Sequence, residues 1–525
     1  MNAPQFENRW MIVGTLTTES ELHIGDGGTG ALHDRGRPAD EARQESDAST
    51  VCTDYQRRAY VPGSAIKGPL RALVSTSSGN IAPEWEQLLG SEKPDDTNSV
   101  GGKLEFWDAF HAAGNGAKAE EPDPEQLHLD TDRKRPWWND TRKTCVAVSV
   151  SLDRRTRTAK ENLLYHLEYV PKGETFRFEI SGDNLSTKEI AQVLLLLEQF
   201  NSLAPKRATL GALVSNGWGR VVCTVTEVRC LDAASIAAWK ANPTVGSNAL
   251  PTIGPGLRQK VEQERAGVKF PGTSEQLIIN LSVSMESPWL IRDPRQRERS
   301  EHAKHLPEDK KPRDAIAIHD ESGKAFVPAK SLRGALRARA EMILRTLGLL
   351  CADHPGDIEP ISTKGSSAPA ARQTIAGLDL AARLFGLSGW RAPLYVPRLI
   401  ANGNPGKHEQ EFVAIDRFTG GAAGGAKFNS ELAGKTTLGG TLTIDIGCLE
   451  LVDPQLASLG LLALVLRDLA EGDIPIGSGS AKGQGFCTAD ISIAGAPDWQ
   501  SHATIVQGLA ALRALPQAGQ AEELK

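Results

Sequence analysis

A chain of 525 residues is too long for one ordinary hydrophobic core and implies roughly two to four domains. Its composition, 40% hydrophobic and 24% charged, is that of a soluble globular protein, and no stretch approaches the ~18 uninterrupted apolar residues of a membrane span. With 59 basic against 65 acidic residues the net charge is −6, which excludes a protein coated in cations. Any polyanion binding must therefore come from local clustering.

The start of the chain, MNAPQFENRW, has neither the basic nor the apolar region of a secretory leader, so a cytoplasmic protein is expected. Seven cysteines, at 52, 145, 223, 230, 351, 448 and 487, form no Cys-x-x-Cys pair and have no histidine at finger spacing. Reduced thiols are expected, and no zinc site.

In chain order, alternating apolar residues in WMIVGTLTTES (10–20) predict a strand, followed by a Gly- and charge-rich excursion and a short strand ending in Val61-Pro62. A helix starts at Gly63-Ser64, with Lys67 in its first turn and Arg71 four residues further on the same face. A long insert then carries RKRPWWNDTRK (133–143) and RRTRTAK (154–160). Strand EYVPKGETFRFEI (168–180), helix EIAQVLLLLEQFNSL (189–203), glycine-rich turn SNGWGR (215–220) and strand RVVCTVTEV close the first half. A Pro-, Gly- and Asn-rich stretch without apolar period reads as a linker, 236–275.

The same order then repeats. YVPGSAIKGPLRALV (60–74) recurs as FVPAKSLRGALRARA (326–340), EYVPKGETFRFEI (168–180) as GKTTLGGTLTIDI (434–446), and LGALVSNGWGRVVC (210–223) as IGSGSAKGQGFCTA (476–489), all at an offset of 266. In both halves an Asp-Arg precedes a Glu at equal spacing, Asp153 to Glu168 and Asp416 to Glu431. One offset kept across separated segments marks a tandem duplication. The expected domains are 1–235 and 276–494, with a tail at 495–525 that holds one short helix. Strand, helix, strands, helix, strand is the ferredoxin-like, RRM-like β-α-β-β-α-β plan, so the fold class is α+β, two such domains with long inserted loops.

The recurring pieces carry a chemistry. Helix starts bearing Ser64, Lys67 and Arg71, or Lys330, Ser331, Arg333 and Arg337, present free N–H groups and cations suited to phosphate. Solvated basic residues on a helix would look the same, and it is the duplication of the basic position that favours a phosphate grip. The turns with Gly217, Gly219 and Arg220, and with Gly479, Lys482, Gly483 and Gly485, run from helix to strand, so they are not nucleotide-triphosphate loops. Trp137 and Trp138 among cations either stack on bases or pack in a core.

Together these segments resemble the RAMP superfamily of CRISPR-associated proteins, and within it the repeated backbone subunits of type III effector complexes. The resemblance rests on LHIG (22–25), VPGSAIKG (61–68), LLG (88–90) with KLEFWDAF (103–110), LFG (384–386), the two Asp-Arg…Glu segments and the glycine-rich turns. It implies a protomer that grips CRISPR guide RNA, flips out one target base in six, works beside other effector subunits away from membranes, and cuts target RNA with Mg²⁺. It adds His23, Arg154 and Arg417 to the RNA-binding set. The family's nuclease aspartate lies in the loop before the helix start, six residues upstream of a second acid. DAIAIHD (314–320) nominates Asp314; in the first half Ala48 occupies that spacing, which leaves Asp47, with Asp40 and Asp34 behind it. The second half has PWLI (288–291) where the first has His23, and Ala329 and Lys330 for Gly63 and Ser64. The alternatives are a non-catalytic RNA-binding protomer of the same complex and a guide-processing RAMP endoribonuclease. The latter is disfavoured by a glycine-rich turn in each half.

Overall fold

Alternating burial along Asn8–Thr18 sends Trp10, Ile12 and Leu16 into a core while Arg9, Met11 and Thr15 face outward, as a two-residue side-chain period requires. This strand pairs antiparallel on both edges, with Thr175–Asp183 on one side and Val221–Asp232 on the other. The short strands Leu104–Phe106 and Phe110–His111 extend the far edge of Thr175–Asp183. Helix Gly63–Leu73 contributes Ile66 and Leu70 to the core. Helix Thr187–Glu198 is opened by a capping box of Ser186 with Glu189 and buries Ile190, Val193, Leu196 and Leu197. This computed structural model describes residues 6–31, 47–75, 81–91, 101–112, 139, 141–152, 159–202, 207–241, 251–268, 275–293, 313–320, 323–352, 368–387, 389–496 and 498–516.

The second unit repeats the plan. Gln276–Met285 lies between Thr437–Asp445 and Cys487–Ile493, with Leu399–Ala401, Leu394–Tyr395 and Phe326–Val327 at the far edge. Helices Ala329–Thr346 and Ala457–Ala470 fill the positions of Gly63–Leu73 and Thr187–Glu198. In both units the order and the all-antiparallel neighbours are those of the split β-α-β arrangement, as the element order predicted.

The inserts build a second, smaller sheet in each unit. In the first, Gly25–Ala31, Asp47–Val51, Ala159–Tyr169 and Cys145–Leu152 lie side by side. In the second, Ala315–Ile316 runs parallel to Ala422–Ala433, which pairs antiparallel with Lys407–Ile415. The parallel pairs are Ala48 with His166 and Ser49 with Leu167 in the first unit, and Ala315 with Ser430 and Ile316 with Glu431 in the second. Both short strands end in a tight turn, where the Asp54 carboxylate accepts Arg58 N–H and that of Asp320 accepts Lys324 N–H, each 2.9 Å.

Two expected boundaries change. The chain divides near Thr273–Ser274, and the segment read as a linker belongs to the first unit. It carries helices Ala233–Ala241 and Pro255–Arg265; the latter buries Val261 and pairs Arg265 with Glu198, while Ile253 N–H donates to the Val228 carbonyl. Pro255 sits at the first turn of a helix, where a missing N–H costs nothing, so the composition read as a breaker is in fact a helix start. The tail likewise joins the second core. Helix Ala503–Arg513 lies so close to Ala457–Ala470 that a Cβ on Gly460 would fall 2.1 Å from the Gly508 carbonyl oxygen. Among the described residues no helix is long and apolar enough to cross a membrane.

Gly460→Ala tests that crossing. In an exposed helix this change stabilises by about 0.5–1 kcal/mol. Here overpacking should instead lower the stability of the second unit by about 1–3 kcal/mol, read as a lower thermal midpoint.

Candidate nucleic-acid interface

The two helix starts share a backbone and use their cations differently. In the first unit Ser64 is exposed, and Lys67 and Arg71 have no carboxylate partner among the described residues. Burial, and next the Arg71 charge four residues on, hold the Lys67 ammonium below the usual lysine pKa. The Arg71 Nη2 atom is buried without a hydrogen-bond partner. Two like charges are thus left together without a counter-anion among the described residues. The Asp108 carboxylate accepts the Gly63 N–H at 2.8 Å, so one of the free helix-start donors is already capped.

In the second unit the equivalent cations turn inward. Arg337 is buried, donates to the Glu341 carboxylate and the Gly386 carbonyl at 2.9 Å each, and forms an ion pair with Glu341. Arg333 donates to the Phe385 carbonyl. Both therefore hold the Leu384-Phe385-Gly386 segment against the helix, a use the spacing alone did not reveal. Lys330 is exposed and Ser331 half-buried at the same helix start.

One glycine in each glycine-rich turn presses on its own unit. Gly219 and Gly485 adopt φ of +78° and +74°, and a Cβ there would lie 2.0 Å from the Leu210 and 2.1 Å from the Ile476 carbonyl oxygen. Only glycine allows that approach. Gly217, Gly479 and Gly483 share the left-handed conformation. Arg220 faces Glu19 at 3.5 Å, and Glu19 also pairs with the buried Arg207 at 2.7 Å. The Lys482 ammonium lies over the rings of Phe412 and Phe428, 4.3 and 4.5 Å from their centroids. His23 is buried, with Nδ1 2.6 Å from the Glu168 carbonyl oxygen, and so supports the base of the insert from within.

The inserts hold the acids. Asp314 is exposed at the head of its short strand; its N–H donates to Asn429 Oδ1 at 3.0 Å, and its Oδ2 accepts the Asn429 N–H at 2.8 Å. Counting back from the matching turns at Asp54 and Asp320, the first unit places Ala48 opposite His166 where the second places Asp314 opposite Asn429. Asp47 heads the strand one residue earlier; its side chain, like Trp137, Trp138, Arg154, Asp40 and Asp34, lies outside the described residues. Arg417 is exposed at the tip of the second hairpin beside the fully exposed Phe418 and the half-exposed Val413. There the Thr419 and Phe418 N–H groups hold the Asp416 carboxyl below its usual pKa.

The structure gives a role to Glu168, which the sequence only marked by its spacing, and brings in two residues that the sequence did not single out. Glu168 is buried and gathers Arg142 (2.6 and 2.8 Å), Thr144 (2.6 Å) and the Val51 N–H (3.0 Å), tying the strand after Asp47 to the insert. Asp108 caps a helix from 45 residues away, and Asn429 reaches Asp314 across 115. The repeated Asp-Arg…Glu spacing signalled Glu168; nothing local signalled the other two.

A sequence model of the RAMP superfamily matches residues 15–222 and again residues 282–488. A protein named CRISPR system Cms endoribonuclease Csm3, from Enterococcus italicus, is 30% identical over 175 residues, which cover 30% of this chain and 72% of that relative.

The opposite use of the two cation pairs predicts opposite signs in denaturant unfolding. Arg337→Met breaks the buried Arg337–Glu341 pair and should cost the second unit about 3–5 kcal/mol. Arg71→Met removes a repulsion and an unpartnered donor and should stabilise the first unit by up to about 1 kcal/mol. Because folding depresses the Lys67 pKa, the folded state binds fewer protons there, so the wild-type first unit should gain stability as pH rises through that lowered value, and Lys67→Met should abolish the gain.

Proposed function

Because the chain belongs to the RAMP superfamily and carries its domain twice, we propose that it is a backbone subunit of a type III CRISPR effector, holding guide RNA with both units and cutting paired target RNA with the second. The observation that carries this reading is the asymmetry at one register position, an exposed, clasped Asp314 in the second unit and Ala48 in the first. The two units take successive six-nucleotide stretches of the guide, and the other effector subunits flank them in a cytoplasmic ribonucleoprotein.

Guide binding rests on phosphate contacts. Lys67 and Arg71, half-buried and lacking a counter-anion among the described residues, supply the charge-assisted hydrogen bonds of the first unit. The exposed tip with Arg417 and Phe418 presents a guanidinium and an aromatic face, the combination on which splayed bases stack.

The reacting nucleophile belongs to the RNA. A 2′-OH attacks the adjacent phosphorus in line with the departing 5′ oxygen, the P–O5′ bond breaks, the 5′ oxygen takes a proton from water, and a 2′,3′-cyclic phosphate and a 5′-hydroxyl result. Asp314 takes the 2′-OH proton or orients the strand that carries it. Among the described residues the only trio of acids close enough to share a cation is Asp468, Glu471 and Asp473, and Asp468 there is already paired with Arg339 and Arg467. A Mg²⁺ at Asp314 would therefore be held by one carboxylate and by RNA oxygens, a donor set that suits this ion, and would offset charge on the phosphate.

Reconstitution with guide RNA, complementary target and Mg²⁺ tests the reading. Asp314→Asn should slow the cut assigned to the second unit by about 10²-fold or more with guide retention unchanged, while Asp47→Asn leaves the cut pattern intact. An unchanged cut in Asp314→Asn would make the chain a purely structural protomer. Cleavage of free repeat hairpins by the isolated protein would make it a guide-processing nuclease.

A further inference from the structure

We propose that Asn429 is a positioning residue for Asp314, and that the glycine-rich turn keeps Asn429 in place through Lys482. The inference rests on the reading of Asp314 as the reacting carboxylate, and it assigns a role to a residue outside the chemistry.

An exposed aspartate ordinarily samples several rotamers, and a reacting carboxylate loses rate whenever it leaves the productive one. Asp314 is held by a reciprocal pair of hydrogen bonds, its N–H to Asn429 Oδ1 and its Oδ2 from Asn429 N–H. One carboxylate oxygen is thereby fixed. The other accepts no hydrogen bond among the described residues and stays available to RNA. The clasp needs a side chain with a carbonyl oxygen at position 429; the first unit, with Ala48 in the place of the acid, has His166 there.

Asn429 is in turn set from both sides of its strand. Ser430 pairs with Ala315 on one edge and with Gln410 on the other. Phe428 stacks on Phe412 with centroids 5.0 Å apart, and the Lys482 ammonium sits over both rings. Two residues on, the buried Gln484 donates from Nε2 to Gln410 Oε1 at 2.9 Å. Gly479 leaves room for that glutamine, since a Cβ there would lie 2.0 Å from its Oε1. The turn thus braces the hairpin at Gln410, Phe412 and Phe428, the residues that flank Asn429. A cation–π bracket of this kind is lost with the charge and kept by arginine.

The test uses the guide-loaded complex and, separately, amide hydrogen exchange on the full chain without RNA. Asn429→Ala should slow cutting by about 10- to 100-fold with guide and target affinity unchanged, and should speed exchange at the Asp314 amide. Asn429→Asp places a second carboxylate beside Asp314, disfavours its ionised form, and should move the acid limb of the cleavage pH profile to higher pH, a shift that a merely structural role does not produce. Lys482→Met should reproduce the faster exchange and slower cutting, and Lys482→Arg should restore both. Normal cutting in Asn429→Ala, with Asp314→Asn inactive, overturns the positioning role alone. Normal cutting in Asp314→Asn overturns the functional reading, while exchange still reports on the clasp. If Lys482→Met leaves exchange unchanged and instead weakens guide binding with a salt slope lower by about one, Lys482 is a phosphate contact and its part in the proposal fails.

Discussion

The opening strand of each unit must satisfy hydrogen bonds on both edges at once, and the rest of the structure follows from that demand. Asn8–Thr18 and Gln276–Met285 each take a helix-flanked strand on either side, so neither can shift without exposing two ladders of unpaired backbone groups. Just past these strands, the chain is again gripped twice. Leu22 bridges Val170 and Trp289 bridges Ala433, at the base of the inserts, while Gly211 and Gly477 press against the His23 and Leu290 carbonyls from the glycine-rich turns. The insert and the turn therefore meet at one fixed point in each unit, and the candidate site grows out from that point.

A frame held by backbone hydrogen bonds tolerates divergence of side chains, and the two units have diverged in use while keeping their frame. At the helix start, one copy leaves Lys67 and Arg71 without an acid among the described residues, whereas the other commits Arg333 and Arg337 to main-chain carbonyls and Glu341. Where the turn meets the hairpin, one copy rests Trp218 on Tyr169 with centroids 5.3 Å apart, and the other rests Lys482 on two phenylalanines. The register position opposite the returning strand is alanine in one and aspartate in the other. Duplication supplied two copies of one frame, and side-chain chemistry is what separates them.

Reading these residues in sequence succeeded where the signal was periodic or repeated. The alternation in Asn8–Thr18 and the apolar face of Thr187–Glu198 are local patterns with a physical period, and the offset of 266 needs no structure to be seen. It failed where the deciding contact is distant. Pro255 and the tail around Gly508 look like linker and loose end until the surfaces they cover are known. The carbonyls of Leu210 and Ile476 beneath the glycine-rich turns are further contacts that no local pattern announces.

The sequence by itself determined the duplication and the α+β element order, because each is written in local spacing that backbone geometry must obey, while Asp314 was singled out only through the family resemblance. Only the tertiary structure decided which cations are spent on the fold and which have no acid among the described residues, since Arg337 and Arg71 occupy the same place in the repeat and differ in what packs against them. It also decided that Asp314 is clasped, for its partner Asn429 lies 115 residues away and joins it through strand register alone.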